Sequence, residues 1–400
     1  MSRDPLRLAD RMQHIGMSPT MKGTVEAERL RRQGIDVVDL GAGEPDFPTP
    51  PHVTAAAHAA IDRRFTKYTA NAGILELREA VAARYRDDYG VTYQPDEVVM
   101  TAGGKQALFH AALALFEPGD DVITHTPGWP TLVEQIKLAG ARPVVVRTRA
   151  EDGFALTADL FLRAMTPNTR AIVINSPGNP TGALLAEPEA ARLAEEAARR
   201  GLWIIIDLCY EQLIYGGVAH NLPRIFGDAM RDRLVLAGST SKSYAMTGWR
   251  CGWLAGPKRV AGAANALQSH STSNVSSITQ HAAVAALTGS QECVAEMLGE
   301  YQARRDQVLA WLGEEPRLSC AVPQGAFYVF PDISAFLSPA GRRTSLEFSD
   351  GLLQEEHVVT TAGEAFDAPG FLRLSYATSL DRLREGITRL LRFARAQATS

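Results

Sequence analysis

From about residue 97 to about residue 256, short runs of continuously apolar sequence rich in Val and Ile alternate with helical patterns. "EVVMTAGG" leads into "KQALFHAALALF", a helical pattern that Pro118-Gly119 ends. "DVITHTP" precedes the helical "TLVEQIKLAG", closed at Gly140. "RPVVVRT" precedes "TADLFLRAM", "RAIVINSP" precedes "EPEAARLAEEAARRG", and "LWIIID" and "RLVLAG" complete the series. A strand with one wet face alternates polar and apolar residues, whereas runs apolar at every position suit strands buried on both faces of a parallel sheet. Parallel neighbours need long crossovers, and the intervening helices supply them. The pattern predicts an α/β fold, a doubly wound domain built on a large, mostly parallel sheet.

The flanks read differently. Residues 1–44 form an arm, the amphipathic helix "TVEAERLRRQG" stopping at Gly34, and a short strand in "IDVVDLG". This segment is too short to fold alone and is expected to pack with the C-terminal part. After about residue 291 the texture changes to a long charged helix, "AEMLGEYQARRDQVLAWLG". Short strands in "GAFYVFP", "HVVTT" and "FLRLSYAT" follow, and then a last helix, "DRLREGITRLLRFARA". The expected division is a large domain over 45–290 and a smaller α+β domain over 291–400.

Charge and cysteine usage exclude several classes. With 41 Lys and Arg against 45 Asp and Glu, and no basic run, the chain lacks the basic face of a nucleic-acid binder. No apolar segment approaches the roughly 18 residues that span a bilayer. The charged N-terminus has no apolar core of a secretion signal. Cys209, Cys251, Cys293 and Cys320 are scattered, with no CxxC pair, and no HExxH occurs. No metal site is expected, and the thiols point to a reducing cytoplasm.

Ligands of an open parallel sheet collect beyond the carboxyl ends of its strands. Several chemically interesting residues fall there. Gly103 and Gly104 follow a strand and open a helix, which is either a plain turn or an anion site at a helix N-terminus. Asp207 ends "WIIID", where a buried carboxylate needs a cation unless it only caps the next turn. Tyr210 follows three residues later, as a core tyrosine or a hydroxyl in the same pocket. Asn179 lies in the turn "NSPGNPTG". Trp129 is either packing or a flat wall for a planar ligand. Arg373 lies in the apolar "FLRLSYAT", on a solvent face or waiting for a carboxylate. Lys242, in "STSKSYAMTGWR", is a surface amine or a desolvated nucleophile. Together these describe one ligand. It has a phosphate (Gly103, Gly104, Arg250), a flat ring (Trp129), a ring nitrogen that wants an anion (Asp207), a ring hydroxyl (Asn179, Tyr210) and a carbonyl that wants an amine (Lys242). Pyridoxal 5′-phosphate carries all of these groups.

On "GAGEPDF", "NPTG", D-x-x-Y, "SxSK…MTGWR" and "RLSYATS", in register over nearly the whole length, the chain resembles the pyridoxal-phosphate-dependent aminotransferases of fold type I, class I/II. It is most similar to those of the bacterial aspartate/prephenate type. The resemblance implies that Lys242 binds the cofactor covalently, Asp207 faces its ring nitrogen, Tyr210 and Asn179 lie near its ring oxygen, and Trp129 stacks on the ring. It implies a phosphate cup of Gly103, Gly104, Ser239, Ser241 and Arg250. Tyr68 would reach the phosphate from a second subunit, making a homodimer with shared sites. Arg373 would clamp the substrate α-carboxylate, with Gly43 at its side. Lys105 corresponds to a residue associated with the substrate's distal carboxylate, or else is a second phosphate neighbour or a solvated lysine. The partners implied are a small amino acid and a 2-oxo acid, exchanged by ping-pong chemistry in which Lys242, Asp207 and Tyr210 act.

The chain departs from the family pattern at Leu208, where an acid is usual, at Gly128, where an aromatic is usual, and at Lys22 and Gly23 in the "SPTMKG" arm. Rival readings are a carbon–sulfur lyase of the same fold, an aminotransferase for aromatic or other amino acids, and a cofactor-sensing regulator. The regulator would need a DNA-binding domain, for which the residues before "GAGEPDF" are too few. A nicotinamide dehydrogenase lacks its fingerprint here.

Overall fold

The computed structural model describes residues 8–13, 15–16, 22–338 and 341–397. Helix α1 (Lys22–Arg32), strand β1 (Val38–Asp39) and helices α2 (Pro51–Asp62) and α3 (Leu75–Tyr89) come first. The alternating region runs through β2 (Val98–Thr101), α4 (Gly104–Leu115), β3 (Asp121–Thr126), α5 (Pro130–Leu138), β4 (Arg142–Arg147) and α6 (Ala158–Arg163). It continues through β5 (Thr169–Asn175), α7 (Glu187–Arg200), β6 (Trp203–Asp207), α8 (Leu222–Met230), β7 (Leu234–Ser239) and β8 (Gly252–Ala255). Helices α9 (Lys258–Ser269), α10 (Ser277–Thr288) and α11 (Glu292–Leu312) lead to β9 (Tyr328–Val329), α12 (Ser345–Glu356), β10 (Val358–Val359), β11 (Thr361–Ala362), β12 (Leu372–Ser375) and α13 (Leu380–Gln397).

The large sheet has the order β2-β8-β7-β6-β5-β3-β4. Strands β4, β3, β5, β6 and β7 are parallel, and β8 runs against both of its neighbours, β7 and β2. This is the doubly wound α/β arrangement of a fold type I transferase, with helices on both faces. Strand β8 was not marked by the periodicity, because "CGWLAG" is only four paired residues set among glycines. Every residue of β2, β3, β6, β7 and β8 is buried. Along β6, Ile204 and Ile206 pack on one face with Leu77 and Val81 of α3 and Leu193 of α7. Trp203 and Ile205 pack on the other face with Leu108 of α4 and Val260 of α9. Each such buried side chain contributes roughly 1.5–3 kcal/mol relative to exposure. That stabilisation makes the strand ends a rigid platform.

The C-terminal part is built around the antiparallel sheet β11-β12-β9. The run "HVVTT" is split: β10 pairs in parallel with β1, and β11 pairs with β12. An apolar run shows no periodicity that would mark such a change of partner at Thr360. Strand β1 thus joins the C-terminal part, and Ala27 and Leu30 of α1 pack with Leu353 and Val359. A second core brings Tyr210, Leu213 and Tyr215, just past β6, against Phe327, Tyr328 and Leu374. The small sheet therefore packs against the chain as it leaves the end of β6, and a cleft lies between the two. Among the described residues no helix is long and apolar enough to cross a membrane.

Candidate active site

The chain leaves β7 at Ser239 and turns tightly. Ser239 Oγ donates to Ser241 Oγ at 2.8 Å, and the Ser241 N–H donates back to Ser239 Oγ at 3.0 Å. Lys242 follows, half-buried. Its Nζ donates to the carbonyl of Gly43 and lies 5.6 Å from the centre of the Phe327 ring. Desolvation lowers its pKa, and the charges of Arg373 and Arg250 add to that, against Cys209 and Glu44.

Asp207 ends the neighbouring strand and is 3% exposed. Burial pushes its pKa up to about 7, while the Cys209 N–H at 3.0 Å and the charge of Lys242 pull it back. An isolated aspartate in such a place is expensive to ionise, so the site is set for a cation at the strand end. Asn175 pairs with Asp207 across β5 and β6, and its Oδ1 accepts the N–H of Asn179 at 2.9 Å.

On the other side of β7, β2 gives way to α4. Gly103 is the N-cap at φ 81°, in the left-handed region open to glycine. A Cβ there would lie 2.6 Å from Nη2 of Arg250. The would-be Cβ of Gly104 is 3.5 Å from Cβ of Ser239. Arg250 donates to the carbonyls of Thr247 and Ala102, at 2.9 and 3.0 Å. Gly103, Gly104, Ser239, Ser241 and Arg250 thus meet at the N-terminus of a twelve-residue helix, whose free N–H groups favour an anion. Behind this cluster, a Cβ on Gly252 would fall 2.5 Å from the backbone of Gly103 and Gly104, and one on Gly238 2.2 Å from the Trp253 indole. Lys105 is exposed beside the cluster. Its Nζ stands 5.1 Å from the Trp129 ring centre, and desolvation and the Arg250 charge lower its pKa.

Arg373 faces the cleft from β12 and is 3% exposed. Its Nη2 donates to the Gly41 carbonyl at 2.6 Å and to Thr361 Oγ1 at 3.3 Å, and its Nη1 donates to Asn179 Oδ1 at 3.2 Å. None of these acceptors is an acid, and its Nε has no partner at all. Its guanidinium carbon lies 4.5 Å from the centre of the Tyr328 ring, and Tyr328 OH is 2.9 Å from Tyr210 OH. Gly43 ties the two halves together: its carbonyl receives Lys242, and a Cβ on it would meet Tyr328 OH at 3.3 Å and Arg373 Nη2 at 3.9 Å.

Contacts thus draw Lys242, Asp207, Tyr210, Asn179, Arg373 and Gly43 together where the small sheet meets the ends of β6 and β7, with the Gly103–Arg250 cluster, Lys105 and Trp129 beside them. Tyr68 is apart from it, in the loop between α2 and α3 with 90% of its surface exposed. Sequence reasoning missed Tyr328, Phe327, Gly41 and Thr361. "GAFYVFP" marks a strand but not which aromatic turns to the site, and the Gly41 carbonyl carries no side-chain signal. Two departures have local causes. Leu208 is 1% exposed within the apolar core, where an acid would be stranded. A Cβ on Gly128 would lie 2.3 Å from the His125 carbonyl, so this turn admits only glycine. Residues 17–21 of the "SPTMKG" arm lie outside the described residues. Lys22 and Gly23 are described only as the start of the α1 backbone.

Comparison with known proteins gives consistent matches. The family described as "Aminotransferase class I and II" matches residues 35–390. The chain is 43% identical to a probable aspartate/prephenate aminotransferase of Aquifex aeolicus, covering 96% of this chain and 97% of that one. The aspartate aminotransferase of Rhizobium meliloti superposes with a TM-score of 0.92 at 38% identity, covering 98% and 99%. That of Thermus thermophilus with maleate superposes with a TM-score of 0.90 at 39% identity, covering 97% and 99%.

Proposed function

Because the chain belongs to the class I and II aminotransferases, which move an amino group between an amino acid and a 2-oxo acid, we propose that it does so with pyridoxal 5′-phosphate on aspartate- or glutamate-like substrates. The observation that carries this is a pair of buried charges without their complements. Asp207 lacks a full counter-cation, and Arg373 is bonded only to neutral acceptors, with Nε orphaned. A buried charge is stable only when matched, so each awaits a ligand group of opposite sign. Asp207 would meet the cofactor's ring nitrogen, and Arg373 would meet an amino acid's carboxylate.

The residues present fit the cofactor. Lys242 would hold it covalently, and Gly103, Gly104, Ser239, Ser241 and Arg250 would take its phosphate. Trp129 would back its ring, and Asn179 and Tyr210 would meet its ring hydroxyl. When bound, pyridoxal 5′-phosphate supplies the electron sink for the charge that develops at the substrate Cα. Asp207 would favour a protonated ring nitrogen there. The lowered pKa of Lys242 raises its free-amine fraction near neutral pH, and that amine carries the proton away from Cα, a role worth about 10²–10⁴-fold. Arg373 orients the α-carboxylate, itself held by Asn179 and Thr361.

Lys105, exposed beside Trp129, answers the substrate's second carboxylate. The T. thermophilus relative with maleate supports a dicarboxylate preference. The exposure of Tyr68 supports its reaching a partner's phosphate site in a homodimer. The four free cysteines support a cytoplasmic setting. The experiment is a panel of amino donors and 2-oxo acids run on the wild type and Lys105→Ala. The variant should lose at least tenfold in kcat/KM for aspartate and glutamate, about 1.4 kcal/mol, and little for monocarboxylic donors. An equal loss for both groups removes the distal-carboxylate role.

A further inference from the structure

A buried cluster of ionisable groups lies outside the cleft and takes no part in the chemistry above. Arg84 on α3 donates through Nη2 to Glu211 Oε1 at 3.0 Å and through Nη1 to Tyr244 OH at 2.7 Å. The arginine and glutamate side chains are only 6% and 4% exposed. The Tyr244 hydroxyl donates onward to Gln291 Oε1 at 2.7 Å. Asp88 Oδ2 stands 3.7 Å from Arg84 Nε, and Tyr89 adjoins Glu211.

Stability does not account for this cluster. Desolvating two charges offsets most of their attraction, and an apolar pair of like volume commonly holds a fold as well. The pair also has loose ends, since Nε of Arg84 and Oε2 of Glu211 lack hydrogen bonds. Location accounts for it better. Glu211 directly follows Tyr210, and Tyr244 is two residues past Lys242. Beyond the strand ends, β6 and β7 are no longer held by a ladder. The Leu208 N–H to Ala237 carbonyl bond at 2.9 Å is followed by local bonds within each turn, such as Glu211 N–H to Leu208 and Tyr244 N–H to Thr240. One guanidinium bridges the two turns where the ladder stops.

We propose that Arg84 is a positioning residue: by bonding Glu211 and Tyr244 together it fixes the turn that carries Lys242 against the turn that carries Asp207 and Tyr210. This rests on Lys242 and Asp207 being the cofactor-facing pair proposed above. Losing the bridge lets the amine drift from the groups it works with, and a 1 Å misplacement costs about 10²-fold.

The test uses the loaded enzyme with Tyr244→Phe, which removes only the hydroxyl and leaves the ion pair, and with Arg84→Lys. Each is read by kcat, by KM and by the pH titration of the absorbance of the lysine-bound cofactor. Each variant should lower kcat about tenfold or more with KM changed less than about twofold, and should shift the titration midpoint. The double variant should lose little beyond the worse single one, since both break one path. Wild-type kcat and an unmoved titration in Tyr244→Phe overturn the proposal, whatever happens to the melting temperature. Lys242→Ala separates the two readings. If its absorbance still titrates as the wild type does, the lysine assignment falls and this proposal with it. If that titration is lost while Tyr244→Phe behaves as wild type, only the role of Arg84 falls.

Discussion

Replacing Asp207 by asparagine should change stability in opposite directions in the cofactor-free and loaded proteins. In the folded chain the carboxyl is raised from 3.8 to about 7, chiefly by burial. A folded pKa above the unfolded one means the folded state holds the proton more tightly. The stabilisation is therefore complete below about pH 4, falls as pH rises, and is gone above about pH 7. Between pH 5 and pH 8 this one group removes on the order of 2–3 kcal/mol of stability. An amide cannot ionise, so Asp207→Asn lacks that component while every other titrating group stays the same. Urea unfolding of the cofactor-free proteins at both pH values measures it. The loss on going to pH 8 should be smaller in the variant by on the order of 2–3 kcal/mol. In the loaded enzyme a neutral amide cannot balance a ring cation, and the cofactor's dissociation constant should rise at least about thirtyfold, the lower end for a buried charge pair. Equal pH dependence in the two cofactor-free proteins would refute the claim that Asp207 is a desolvated, unmatched carboxylate. Unchanged cofactor affinity would refute its role toward the ring.

Gly103→Ala forces a side chain into φ 81° and to within 2.6 Å of Arg250. It should cost about 1–3 kcal/mol in thermal unfolding and weaken cofactor binding in a fluorescence titration. Leu208→Glu restores the acid usual in the family but strands it in a core 1% exposed. The unfolding midpoint should drop by the equivalent of roughly 2 kcal/mol or more. Tyr68→Ala should raise the cofactor's dissociation constant yet leave the unfolding midpoint in place, because a side chain 90% exposed contributes little to the subunit's own fold. A midpoint that falls while affinity holds would refute the cross-subunit role.

What could be read from the sequence followed from residues that contradict their surroundings. Asp207 ends five residues of buried strand, and Lys242 stands among small hydroxyls past another. Both are where an open sheet puts ligands, so residue type and position agree. The parallel strands were legible because burial on both faces leaves an unbroken apolar run. Strand β8 was not, because its placement depends on glycines that let Gly252 lie against Gly103 and Gly104. Tyr328 and Thr361 were hidden for a related reason. Their part is set by which face of a short strand meets Arg373, and that is decided by packing between segments far apart in the chain. Nothing in the helical run "ILELREAVAARYRDDYG" separates Arg84 from its neighbouring arginines, and only the return of Glu211 and Tyr244 to α3 gives it buried partners. Tyr68 lies in a plain loop, and the chain's own chemistry marks it in no way.

The glycines behind the phosphate cluster divide the cleft for anyone who would reshape it. With Gly252 against the α4 backbone and Gly238 against Trp253, a methyl group at either place collides with main chain or indole. Directed evolution at those positions would mostly return dead clones. Lys105 and Trp129 carry side chains of their own directly after the tightly packed Gly104 and Gly128, so a library that seeks a new amino donor should vary those two side chains and keep the glycines beside them. The floor would then stay constant while the specificity changes above it.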